Sequence, residues 1–168
     1  MSLAGKKIVI TGAAGGLGAG VAKVAFDQGA EPVLLDVVDN FTSELGQAYS
    51  VDLLDAAAVQ AVFDDIGDFD VLANIAGGFA MGPTVDATAD EFWQRMFDIN
   101  VTTLRRVLKA AVPILVSRGR GSIINVGALG ALQGSADMSA YQASKACLLY
   151  TSDAADEGLG VDLGGRRI

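Results

Sequence analysis

The stretch "KKIVITGAAGGLG" at residues 6–18 limits the fold more than any other part of the chain. A β-branched run, Ile8 to Ile10, ends at Thr11, and glycines follow at 12, 15, 16 and 18. Val21, Val24, Ala25 and Phe26 then mark one face of a helix that Gly29 closes. The order is strand, glycine turn, helix. The later chain repeats the alternation, with apolar strands expected at 31–36, 48–52, 69–77 and 121–128. Helices are expected at 56–66, along a long stretch from Thr88 to about Ser117 that is interrupted or bent near Pro113, and from about Ser139. Mostly continuous apolar strands separated by helices predict an α/β fold, a doubly wound parallel sheet of Rossmann-like type with both faces covered.

The glycine positions carry a chemical reading as well as a structural one. Gly12 permits a tight turn, Gly16 permits a pyrophosphate to approach the backbone, and Gly18 lets the helix pack closely, while Gly15 and Leu17 complete the loop at the positive helix N-terminus. An ordinary strand-to-helix turn would also use glycine. Asp36 shifts the balance, because it ends the second strand about 20 residues on, where a carboxylate accepts both hydroxyls of an adenosine ribose. Val37 follows it and the loop holds no arginine, so a 2'-phosphate would meet negative charge without a cationic partner. NAD is therefore expected in preference to NADP. No Gly-Lys-Ser/Thr follows the turn, which excludes a Walker loop.

Charge and composition remove other classes. Twelve Lys and Arg against 20 Asp and Glu give a net charge of -8, with no basic run, so a nucleic-acid partner is not expected. The first apolar run is too short for a signal peptide or a membrane span, and a cytoplasmic protein without a membrane partner is expected. A single cysteine, Cys147, excludes an intrachain disulfide framework. The absence of histidine removes both the usual metal ligand and the usual neutral-pH base, so no metal site is expected.

Proton chemistry must then use other groups, and "YQASK" supplies them. Tyr141 and Lys145 are four residues apart, which on a helix puts both on one face, where the ammonium stabilises a phenolate and makes the tyrosine a usable acid or base. Taken with "TGAAGGLG", "VDL" at 51–53, "NIAG" at 74–77 and "DIN" at 98–100, the pair makes the chain resemble the classical short-chain dehydrogenase/reductase family from residue 5 to about 146.

That resemblance implies an NAD-dependent oxidoreductase interconverting an alcohol and a ketone or aldehyde. Asp52 and Leu53 would flank the adenine, and Asn74, Ala76 and Gly77 would line the cofactor. Asn100 would hold a water in a proton relay, Tyr141 would exchange the proton with the substrate oxygen, and Tyr141 and Lys145 would bind the cofactor, Lys145 at the nicotinamide ribose. A homodimer or homotetramer is the family habit. One position departs from the pattern: thirteen residues before the tyrosine, where the family carries a serine, the chain has Ala128. Alanine donates no hydrogen bond to a carbonyl, and this raises the alternative of a non-catalytic NAD-binding module.

After "YQASK" the chain changes character. "CLLYTSDAADE" and "GVDLGGRRI" resemble in-frame translations of sequencing adapters. Residues 1–146 are therefore expected to form the dinucleotide-binding domain, C-terminally truncated with respect to the family, and 147–168 a non-native tail.

Overall fold

In the computed structural model, which describes residues 2–159 and side chains through residue 149, β1 (Lys7–Thr11) runs straight into the glycine turn and α1 (Gly16–Asp27). The other strands are β2 (Glu31–Asp36), β3 (Gln47–Ser50), β4 (Val71–Asn74) and β5 (Ser122–Asn125). They form one sheet in the order β3-β2-β1-β4-β5, and every neighbouring pair is parallel. The order turns at β1, which has β2 on one side and β4 on the other. In open α/β sheets a crevice forms beyond the carboxyl ends of the strands at such a point.

The register explains the core. Ile10 sits opposite Leu34 on β2 and Ala73 on β4, and these pack with Ile8 against Ala22 and Ala25 of α1. One residue along, Val9, Leu35 and Leu72 point to the other face and are also fully buried. The small residues on α1 allow the helix to lie close to the sheet. α2 (Ala56–Ile66) buries Val59, Phe63 and Ile66, one stripe at helical spacing, and the Phe63 ring meets Phe69 edge-on with centroids 5.8 Å apart. Burial of a phenylalanine of this kind stabilises by roughly 1.5–3 kcal/mol. The expected continuous burial holds for β1, β2 and β4, whereas the outer strands β3 and β5 are half-exposed.

Asp70, just before β4, ties the amino ends of the strands together. It accepts from Lys6 Nζ at 3.2 Å, Lys7 N–H at 3.1 Å and Arg118 Nη2 at 3.4 Å. Burial alone would raise its carboxyl pKa, but the hydrogen bonds from Lys6 and Lys7 and the charges of Lys6 and Arg118 hold it below the usual value.

The long helical stretch divides into α3 (Asp90–Phe97), a π-helical turn at Asp98–Thr102 and α4 (Thr103–Arg118). Pro113 does not interrupt the helix as expected: α4 runs through it, with Val107, Leu108, Ala111 and Leu115 buried on either side. Packing of that apolar face offsets the one backbone hydrogen bond a proline removes. α5 (Ser139–Leu159) begins where the sequence predicts, and Gly158 lies within it. Of the expected non-native tail, residues 160–168 lie outside the described residues.

The chain comprises two compact units. The first contains residues 1–77 and 102–126, with the whole sheet, α1, α2 and α4. The second contains 78–101 and 127–168, with α3, most of the π turn and α5.

Candidate active site

In the first unit the glycine turn is fixed by contacts that leave no room for side chains. Gly12 has φ +67°, and a Cβ there would stand 2.8 Å from Ala76 Cα. A Cβ on Gly18 would strike the Gly12 carbonyl and come within 2.8 Å of Ala13 Cα. Gly16, by contrast, has nothing within 4 Å of where its Cβ would be, so its backbone is open to approach. Gly15 is the N-cap of α1, and with no side chain it leaves the first amides of the helix without a side-chain acceptor. No acidic residue occupies the first turn either. Leu17, beside this opening, is exposed.

Asp36 is bound to the same turn. Its Oδ2 accepts from Ala14 N–H at 2.9 Å and its Oδ1 from Val38 N–H at 3.2 Å. A carboxylate has about four acceptor sites, so it retains capacity for ribose hydroxyls. Asp52 is exposed and accepts from Leu54 N–H at 2.8 Å in a local turn, while Leu53 is buried in the core. Asn74, buried at the end of β4, donates from Nδ2 to Asn125 Oδ1 at 2.8 Å; its own Oδ1 is buried without a hydrogen-bond partner. Ala76 is half-buried and Gly77 exposed.

Thr11 and Asn125 also belong to this region, although neither stands out in the sequence. The Thr11 hydroxyl is buried and accepts from Ile75 and Ala76 N–H groups, both at 3.1 Å, which holds the chain leaving β4 against the glycine turn. The threonine before the first glycine was visible, but its partners 64 and 65 residues away were not. An open helix N-terminus, an accessible glycine backbone and an anchored carboxylate fit a dinucleotide: Gly15, Gly16, Leu17 and Gly18 would face its pyrophosphate and Asp36 its adenosine ribose.

The second unit brings together the other predicted residues. Asn100 lies in the π-helical turn and is 0% exposed. Its side chain makes three hydrogen bonds: Oδ1 accepts from Gly78 N–H at 3.0 Å, and Nδ2 donates to Gly78 O and to Ser144 Oγ, both at 3.1 Å. An amide can make about four, so one acceptor position remains. Ser144, also fully buried, donates to the Tyr141 carbonyl at 2.7 Å. This serine, unremarked in "YQASK", couples Asn100 to the first turns of α5.

Tyr141 is half-buried, and its ring packs edge-on against Phe79, with centroids 4.9 Å apart and planes at 86°. Lys145, one turn on, is 6% exposed, and burial pushes its ammonium pKa below the usual lysine value. Gln142 clamps the preceding loop: it donates to Gln133 O and accepts from Ser135 N–H, both at 3.1 Å. Ser135 is exposed and Ser139 starts α5. Ala128 precedes a 3-10 turn at Leu129–Ala131 that packs on α5. A phenol one helical turn from a buried lysine is an arrangement suited to general acid or base work.

The sequence pattern of short chain dehydrogenases matches residues 6–160. The chain belongs to the short-chain dehydrogenase/reductase family. D-xylose 1-dehydrogenase of Caulobacter vibrioides is 33% identical over 171 residues, covering 96% of this chain and 68% of that one. The NAD+-bound structure of a xylitol dehydrogenase superposes with a TM-score of 0.90 at 25% identity, covering 95% of this chain and 67% of that one. The ligand-free aldohexose dehydrogenase of Thermoplasma acidophilum superposes at 0.83 with 26% identity, covering 90% of this chain. This chain spans 60% of that protein's length. Among the described residues no helix is long and apolar enough to cross a membrane.

Proposed function

We propose that the chain belongs to an NAD-dependent oxidoreductase that interconverts an alcohol and a ketone or aldehyde. The observation that carries this reading is the start of α1, left without a side-chain cap beside the anchored carboxylate of Asp36. Bound NAD supplies hydride acceptance, and NADH hydride donation. The open amides of α1 bind the pyrophosphate, and Asp36 accepts from the adenosine ribose. Preference for NAD over NADP rests on Asp36 and Asp39 with Val37 and Val38 between them, a cluster that repels a 2'-phosphate.

Asp52 and Leu53 flank the adenine, and Asn74, Ala76 and Gly77 line the rest of the cofactor. In carbonyl reduction Tyr141 gives its phenolic proton to the substrate oxygen; in alcohol oxidation the phenolate takes it. Lys145 stabilises the phenolate and binds the nicotinamide ribose. Asn100 keeps Gly78 and, through Ser144, the Tyr141 backbone in place, and its remaining acceptor position holds the relay water. The assembly proposed is a homodimer or homotetramer, and the setting cytoplasmic.

The test compares NADH binding with turnover on a panel of carbonyl compounds. Tyr141→Phe is expected to retain NADH binding and to lose about 10²- to 10⁴-fold in turnover. Equal turnover by the variant would remove Tyr141 from the chemistry. Ala128 favours a second reading, a module that binds NAD without turning substrate over. In that case Ala128→Ser creates turnover absent from the parent, whereas turnover by the parent excludes it.

A further inference from the structure

The second unit carries an apolar surface that the proposed chemistry does not use. Phe79, Met81, Val85, Leu129 and Leu132 are all strongly exposed. Three contacts gather the segments that bear them: Phe79 packs on the Tyr141 ring, the Leu129–Ala131 turn packs on α5, and Gly82 N–H donates to Asp137 O at 2.8 Å. Neither 78–85, "GFAMGPTV", nor 127–136, "GALGALQGSA", contains a charged residue, and the exposed carboxylates of Asp86 and Asp137 stand at their edges. Gln142, a long polar side chain that reaches the second segment, uses its amide to hold Gln133 and Ser135.

A polyol is recognised through several side-chain hydrogen bonds, each of which orients one hydroxyl and leaves a cost when unmade. These two segments offer few such groups. A substrate whose oxygen reaches the Tyr141 phenol must also lie close to Phe79, since the two rings are in contact. At 59% exposed, Phe79 has free ring surface to receive it.

Resting on the oxidoreductase reading above, we propose that Phe79 is a specificity-determining residue that selects alicyclic or aryl alcohols and ketones over polyols. Its ring packs on the hydrocarbon body of the substrate and on Tyr141 together, so the substrate oxygen is brought to the phenol by apolar contact. Phe79 is exposed and outside the core, so its replacement leaves the fold intact.

The experiment measures equilibrium binding of cyclohexanone and of D-xylose to the full chain, with and without NADH, by calorimetry. Cyclohexanone is expected to bind and D-xylose to bind more weakly. Phe79→Ala weakens cyclohexanone by about tenfold and leaves D-xylose unchanged, while Phe79→Leu, which keeps apolar bulk, recovers most of the loss. Tighter binding of D-xylose, an equal loss for both compounds, an unchanged cyclohexanone constant or no cyclohexanone binding overturns the proposal. Turnover assays on the same samples keep the two readings apart. Phe79-dependent binding without any turnover sinks the oxidoreductase reading alone, and turnover of D-xylose with cyclohexanone ignored sinks the specificity proposal alone.

Discussion

Helices α1 and α2 belong to the same unit and begin in opposite ways. At α2 the side chain of Asp55 accepts from Ala57 and Ala58 N–H groups at 2.9 and 3.0 Å, so the chain satisfies its own helix end. At α1 the corresponding residue is Gly15, which offers no acceptor. A capping side chain contributes about 1 kcal/mol, and the chain forgoes it at a turn where the space around Gly16 is open. The contrast separates a helix start built for stability from one whose amides are open to an anion.

The largest effect should come from closing the α1 end. Gly18→Val forces a side chain into the Gly12 carbonyl and displaces the turn, with an expected loss of at least about 100-fold in NADH affinity by fluorescence titration. An unchanged constant would show that the turn is not the cofactor's seat.

Next is Asp70, at the other end of the strands. Asp70→Asn removes a carboxylate that three donors share and is expected to cost about 2 kcal/mol near neutral pH by chemical denaturation. The folded pKa of Asp70 lies below its ordinary 3.8, so its stabilisation is present above that value and lost as pH falls through the folded pKa. The variant should lack that part of the acid limb and bind NADH as the parent does.

Asp36→Asn follows, with about tenfold weaker NADH binding and a smaller change for NADPH; equal losses would separate Asp36 from the ribose. The smallest effect belongs to the closed helix end. Asp55→Ala should lower stability by about 1 kcal/mol and leave NADH affinity alone. A change in affinity there would erase the distinction between the two helices.

Much of this architecture is legible in the sequence because it is local. The 56–66 helix and the Ser139 start of α5 agree with the structure, since Val59, Phe63 and Ile66 repeat at helical spacing and Ser139 opens the "YQASK" helix. Gly12 and Gly18 were readable because each is demanded by a steric fact of one short turn. What escaped is held by contacts distant in sequence. Asn100 is legible only through "DIN" and the family resemblance, because its partners Gly78 and Ser144 lie 22 and 44 residues away. Phe79 gave no signal, because no periodicity links a loop phenylalanine to a tyrosine 62 positions on. At Pro113 the helix is not interrupted, because tertiary packing of α4 outweighs a local helix-breaking rule.

Side-by-side titration of the chain with NADH and NADPH asks whether the open start of α1 and Asp36 form a seat for NAD. Saturable NADH binding at least about tenfold tighter than NADPH is expected; no NADH binding, or NADPH bound as tightly or more so, would overturn that seat.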